Sequence, residues 1–495
     1  MKRRLLFFLA AILTALAGCN NRPKSGDRVL VAKFLSDTHL ADPKRFDVVV
    51  FKYPKEPLVK NIPKNYIKRL LGLPGEILAI FFGRLYHIPA PEPGAPPYFD
   101  DLAQRDEFGT EVNPIDLWKS QYTHDDQSNA KFARGALAKF EIIRKPPDVM
   151  MAERRIVYDN DFPAKDLTGP AWARWRTDGN GWTADKDHGF GFQGEPKDAV
   201  DWLRYRHVVR PMAALENPVA DRKADGERKP QLITDFMGYN SFYSQLQRNG
   251  AEEFDRTPKP NWVGDLMIEC SLNVSKVEGE FWLELSKGIN RFQARFDLSN
   301  GMCTLYKLDV DKKKVELDSK PTRVKAPGTY QVRFANIDAR LTVWVDRDLP
   351  FENGRDYPPP EIRGRDEKDL DDAALIARRG PTINDLEPAS IGSNGGAVQV
   401  HNIRLWRDTY YTQNASAAAD IRDLSAAAWS DPAKWAVFKD MPYKTMYVQP
   451  GHYLCLGDNS QQSSDSREWG LVPQRLMLGR ALVVYYPFNR AGPIR

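Results

Sequence analysis

Runs that alternate apolar and polar residues, punctuated by turns, fill the middle of this chain and restrict it to antiparallel β structure. FWLEL (Phe281–Leu285), RFQARFDL (Arg291–Leu298), TYQVRFANI (Thr329–Ile337) and RLTVWVD (Arg340–Asp346) follow this pattern. Successive strand residues point to opposite faces, so such runs bury one face and leave the other to solvent. Two sheets of this kind satisfy each other by stacking into a sandwich, expected over residues 154–410. Within it, Glu280 and Glu284 fall on one face of a strand. Their α carbons are ~13 Å apart, against the ~5–10 Å between carboxyl groups used in glycoside hydrolysis, so a solvated face is expected. Trp182, Trp202 and Trp344 are expected as sandwich core, with a platform for a sugar or a protein as the alternative.

Composition narrows the function classes. A chain of 495 residues is long enough for two or three domains, and 42% hydrophobic residues is ordinary for globular cores. The net charge is 71 − 66 = +5, with acids and bases interspersed. No basic stripe of the kind nucleic acid demands results, so no nucleic-acid partner is expected. Cys19, Cys270, Cys303 and Cys455 show no C-x-x-C spacing, and seven scattered histidines form no H-E-x-x-H, so neither a metal nor a cofactor is expected. Cys270 and Cys303 either pair outside the cytoplasm or sit as small buried hydrophobes in neighbouring strands.

Two runs outside the alternating region carry the chemistry. NYIKRLLGLPGE (Asn65–Glu76) sets Lys68 among Ile67, Leu70 and Leu71. Apolar neighbours dehydrate an amine whose ordinary pKa is ~10.4, and burial disfavours its charged form. A neutral amine takes the proton of a serine hydroxyl, the Ser/Lys way of activating a nucleophile. Far downstream lies GHYLCLGDNSQQSSDSREWGLVP (Gly451–Pro473). Gly457 allows close backbone approach, and Asp458 and Asn459 favour a turn that projects the serines after them. The flanking apolar runs Tyr453–Leu456 and Trp469–Val472 are expected as core strands.

Together the two runs resemble the type I signal peptidase family, whose members carry YIKR then GLPGD around a lysine base, and GDN then S-x-D-S-R. Lys68, Arg69, Gly72, Leu73, Pro74 and Gly75, then Gly457, Asp458, Asn459, Ser463, Asp465, Ser466 and Arg467, stand at those positions, with Glu76 in place of Asp. The resemblance implies Lys68 as general base, Ser463 hydrogen-bonded to its amine to orient it, and Asp465 with Arg467 as a buried ion pair holding the loop. Asp458 supports the same site. SGDRVLVAKFLSD (Ser25–Asp37), RFDVVVFKYP (Arg45–Pro54) and FFGRLY (Phe81–Tyr86) are similar to further strands of the family. The family's nucleophile lies eight residues before Gly26, where this chain has Gly18. Ser25 is seven residues from that place, roughly 23 Å of extended chain at ~3.3 Å per residue. The expectation is a peptidase fold with its base kept and its nucleophile lost, an intact dyad through Ser25 or a bulged loop being the alternative. The family builds its oxyanion hole partly from the nucleophile's amide, so that element is in question too.

The chain starts MKRRLLFFLAAILTALAGC, with Lys2, Arg3 and Arg4 ahead of the apolar run Leu5–Ala17, which reads as a secretory signal. Leu16–Cys19 resembles a bacterial lipobox, which makes Cys19 the lipidated first residue of the mature chain. An uncleaved membrane anchor is the alternative. Either way the expected place is the extracytoplasmic, periplasmic face of a bacterial membrane, with membrane lipid as a partner.

IPAPEPGAPP (Ile88–Pro97) reads as a stiff linker, followed by a helix around Asn129–Ile143 that Pro146 and Pro147 stop. The strand order ending in Gly392–Asp408 resembles concanavalin-like jelly rolls, the laminin-G type included. Ala415–Trp429 is helix-prone, Ser430-Asp431-Pro432 opens another short helix, and Leu478–Phe488 is the expected last strand. The expected organisation is a signal segment 1–19, a signal-peptidase-like part 26–87, a linker and helix 88–153, an inserted sandwich 154–410, a helical connector 411–439 and a second peptidase-like part 440–495. The fold class is mainly β: a split antiparallel peptidase fold around a sandwich, with short helices. Two functions follow, a membrane-bound serine endopeptidase acting on exported preproteins, with or without its nucleophile, and a lipid-anchored binder whose sandwich contacts glycans or envelope proteins.

Overall fold

In the computed structural model, the two outer segments interleave strand by strand. The structure describes residues 27–32, 43–54, 58–59, 62–95, 140–165, 167, 169–209, 228–235, 260–309, 311–358, 379–414, 420–421, 424, 426–441 and 444–494. Strands β1 (Arg28–Ala32), β2 (Val48–Lys52), β3 (Asn65–Gly72), β4 (Ile77–Phe81) and β5 (Arg84–Ile88) precede the middle of the chain. Strands β6 (Lys444–Tyr447), β7 (His452–Leu456), β8 (Val472–Pro473) and β9 (Met477–Tyr486) follow it. One antiparallel sheet runs β1-β9-β2-β3-β7-β8, and a smaller one runs β6-β4-β5 and then Glu141–Ile142.

β3 is interior to its sheet and buried over Arg69–Gly72, and buried backbone N–H and C=O groups need partners on both edges. β2 supplies one edge, with Val49 opposite Lys68, and β7 the other, with Leu456 opposite Arg69. This pairing brings the two motif-bearing runs together. Alternation then divides β3: Leu70 packs with Val49, Phe51, Tyr453 and Trp469 on one side, Leu71 with Leu78, Ile80 and Leu456 on the other.

The middle of the chain folds as two stacked antiparallel sheets. In one of seven strands, Glu280–Lys287 lies between Ala389–Asn394 and Asn290–Asp297; in the other, of eight, Leu266–Lys276 lies between Gly328–Ile337 and Gly396–Arg407. Phe281, Leu283 and Leu285 of the first and Ile268, Cys270 and Leu272 of the second share one buried cluster. Phe81, Phe82 and Tyr86 of the β4–β5 hairpin belong to that same cluster. At roughly 1.5–3 kcal/mol for each large side chain so buried, the sandwich is fastened to the outer segments as well as tethered to them. The hairpin turn shows how close the fit is: Gly83 has φ +72°, and a β carbon there would lie 2.3 Å from the Tyr410 ring.

Several local expectations are corrected. Residues 129–139 of the expected helix, like Cys19 and Ser25, lie outside the described residues. Glu141–Ile142 is a strand paired with β5, and Pro146 and Pro147 open helix α1 (Pro147–Glu153) instead of ending one. The reason is that proline lacks only an N–H that a first helical turn leaves unpaired anyway. Trp469 closes a one-turn helix, α2 (Ser466–Trp469), capped by the Asp465 side chain and ended by Gly470 at φ 94°. Glu284 is 2% exposed, not solvated, because Arg204, Arg291 and Gln293 all donate to its carboxylate. Trp182 and Trp344 are buried, whereas Trp202 is half-buried, and Cys270 and Cys303 are free buried thiols.

Candidate active site

Lys68 leaves the middle of β3, and the loop after β7 bends back over it. Its Nζ lies 2.8 Å from Ser463 Oγ. Gly457 makes that approach possible, since a β carbon at this position would lie 2.0 Å from Ser463 Oγ and 3.2 Å from Lys68 Nζ. Burial lowers the Lys68 amine from the ordinary lysine range; Asp465 opposes the shift and Arg467 reinforces it. Leu70 and Leu71 are fully buried, but Ile67 is 44% exposed, because alternation turns it away from the Lys68 side chain. The dehydrating neighbours on that face are Tyr66, whose ring centroid is 5.8 Å from the amine, and the loop itself.

The loop is held from beneath by a buried ion pair. Asp465 and Arg467 are 2.6 Å apart with both side chains fully enclosed. Asp465 Oδ2 also accepts from the Gly457 amide at 3.0 Å, while Arg467 donates to the Thr412 carbonyl at 2.8 Å and to Ser460 Oγ at 2.6 Å. Ser466 Oγ accepts from the Cys455 amide at 3.0 Å. Two of the loop's serines are thus framework, and Ser463 is the one brought to the lysine.

Beside this pair Arg69 donates to both oxygens of Asp458, at 3.0 and 2.8 Å, and to the Phe46 carbonyl at 2.9 Å. It also meets Glu153 Oε1 at 2.8 Å. Glu153 is fully buried at the end of α1, and Tyr411 donates to its other oxygen at 3.2 Å. Complete burial pushes the Glu153 carboxyl up, while Arg69 and Lys145 pull it back. Glu76 anchors the Gly72–Gly75 turn: it accepts from Arg45 at 2.8 and 2.7 Å and from the Leu73 amide at 2.6 Å. Neither Glu153 nor Arg45 was found by reading the sequence. Arg45 opens a run that reads only as a strand, with no role for its side chain, and Glu153 comes from the middle of the chain, where the expected helix ended ten residues earlier.

These residues open onto a cavity of about 750 Å³. Its walls come from both parts of the chain: Ile67, Lys68, Asp458 and Ser463 on one side, Met151 and Arg154 at the end of α1 on another. Asp265, Asp338 and Asp408 form a buried carboxylate trio elsewhere, but Lys145, Arg84 and Lys287 are ion-paired to it, so three positive side chains already balance three acids. Among the described residues no helix is long and apolar enough to cross a membrane.

The family profile described as signal peptidase, peptidase S26, matches residues 5–124 and 390–486. The signal peptidase I of Buchnera aphidicola (subsp. Acyrthosiphon pisum) is 40% identical over 52 residues, 10% of this chain and 17% of that protein. A probable signal peptidase I-2 of Synechocystis is 46% identical over 50 residues, 10% of this chain and 23% of that protein. The chain thus spans under a quarter of the length of these relatives. Among solved structures, a carbohydrate binding module from Bacillus subtilis aligns over 47% of this chain and 94% of its own, with a TM-score of 0.25 and 9% identity. The chain is thus similar to signal peptidase I over two separated stretches, the second of which begins within the last strands of the β-sandwich that lies between the two motif-bearing runs.

Proposed function

We propose that this chain is a serine endopeptidase of the signal peptidase I type, held at the outer face of a bacterial membrane and acting on exported preproteins. The observation that carries the reading is the Lys68–Ser463 contact at 2.8 Å on the wall of a cavity able to admit a peptide. A lysine amine lowered by burial is a general base, and Asp465 with Arg467 keeps the loop that faces it in place. Cleavage requires the neutral amine, so activity rises as pH rises through the Lys68 pKa, which lies below the ordinary ~10.4. The test is incubation of the full chain with a preprotein across pH 5–10. A rate that climbs with pH supports the reading, and absence of cleavage at every pH rejects it.

Gly457→Ala gives a second check. The added methyl collides with Ser463 Oγ and displaces it from the amine. A misplacement of ~1 Å at such a site costs about 100-fold in rate. The variant is expected to lose at least that much kcat/KM, measured on folded protein, because the same methyl would also lie 2.7 Å from Ser463 Cβ and some stability is lost with the overpacking. An unchanged rate means that Ser463 plays no part in turnover.

The binder reading draws on one other feature. Trp202, Trp282 and Tyr306 lie together on the sandwich face opposite its inter-sheet cluster, with ring centroids 6.3 and 6.0 Å apart, Trp202 and Tyr306 half-buried and Trp282 covered by Lys314. Quenching of tryptophan fluorescence by envelope glycans, lost in Trp202→Ala, is the result expected of it.

A further inference from the structure

The peptidase reading leaves the attacking group unassigned, and the cavity narrows the choice. Val48, Ile67, Met151, Ala152, Pro493 and Ile494 give its walls an apolar character, and Lys68, Arg69, Asp148, Arg154, Asp458 and Asn459 supply its charges and amide. Among the described residues lining it, Ser463 alone carries a hydroxyl, and none carries a thiol. Cys455, the nearest cysteine in sequence, is fully buried on β7. Ser460 and Ser466 are spent on Arg467, Thr412 and Cys455.

We infer that Ser463 is the nucleophile of this site and Lys68 its base, so that the hydroxyl to which the resemblance gives an orienting role attacks the substrate carbonyl itself. The inference rests on the peptidase reading for its substrate, but not for its chemistry. The contact of 2.8 Å is within reach of direct proton transfer, and the lowered amine is available to accept it. As Ser463 Oγ forms its bond to the carbonyl carbon, its proton moves to Lys68 Nζ. The tetrahedral adduct then collapses with loss of the C–N bond, and the ammonium returns that proton to the leaving amine. An ester on Ser463 is left, which water cleaves after giving a proton to the same amine. The new carboxyl product departs, and the proton goes back to Ser463 Oγ. Asn459, on the same wall, carries an amide of the type that serves a developing oxyanion.

The test uses the full chain and a fluorophosphonate probe, which forms an O–P bond with an activated serine and expels fluoride. The modified peptide is identified by mass spectrometry. The expected result is an adduct on Ser463, formed faster as pH rises and at least ~100-fold more slowly in Lys68→Met. Ser463→Ala should take no probe, and Ser463→Cys should instead become sensitive to a thiol alkylator at the same position. An adduct on any other residue, Ser25 included, overturns the inference, as does absence of any adduct on a folded chain. Preprotein cleavage that survives Ser463→Ala within ten-fold overturns it while the peptidase reading stands. A chain that takes the probe on Ser463 yet cleaves no preprotein keeps the inference and fails the preprotein reading.

Discussion

Arg467→Met is expected to destabilise the chain by about 3–5 kcal/mol, the range for breaking a buried ion pair from one side. Arg467 and Asp465 are fully enclosed, so water cannot replace the lost guanidinium. The substitution also strips a donor from the Thr412 carbonyl and from the Ser460 carbonyl, 2.8 and 2.7 Å away. The cause is tested by removing both charges. Asp465→Leu with Arg467→Met should recover part of the loss, because it leaves no buried charge behind, although the Gly457 and Arg467 amides lose their acceptor. Denaturant unfolding of the two variants measures this. A single-variant loss under about 1 kcal/mol would falsify the account.

The second large effect is on rate. Lys68→Met keeps the length and bulk of the side chain, hence its packing beside Tyr66, but removes the proton acceptor. Loss of a general base costs roughly 10²–10⁴ in kcat. KM should change much less, because the other walls of the cavity are untouched. The residual rate should also lose its climb with pH, since the titrating group is gone. A variant that keeps both its rate and its pH dependence places the base on another residue.

Much of the fold was legible because the strand period is short and repeated. Thr329–Ile337 and Arg340–Asp346, read from alternation, are strands at Gly328–Ile337 and Arg340–Val345. The same rule, applied more strictly, places Ile67 on the face opposite Leu70, so the three hydrophobes around Lys68 are not one group. The short helix expected after Asp431 is present as the 3-10 helix Pro432–Asp440, whereas the two short helices beside the site were illegible. α1 has seven residues and α2 four, too few for a 3.6-residue period to stand out, and tertiary burial fixes both. Glu153 was invisible for that reason, and for a second one: its partner Arg69 lies 84 positions earlier in the chain, and nothing local to either residue announces the pair. The Lys68–Ser463 contact spans 395 positions but was anticipated, since both ends carry recognisable words.

The placing of β4 between β5 and β6 bears on whether the middle of the chain is removable. Ile88 ends β5 opposite Ile77, and Lys444 begins β6 opposite Ile80. Two strand spacings and three residues separate those ends, about 14 Å, a gap that five extended residues cross. Excision would therefore leave a scar that is easy to close. It would also take away Glu153, one of two carboxylates that meet Arg69, so a shortened chain would keep the strand that carries Lys68 with its charge balance changed.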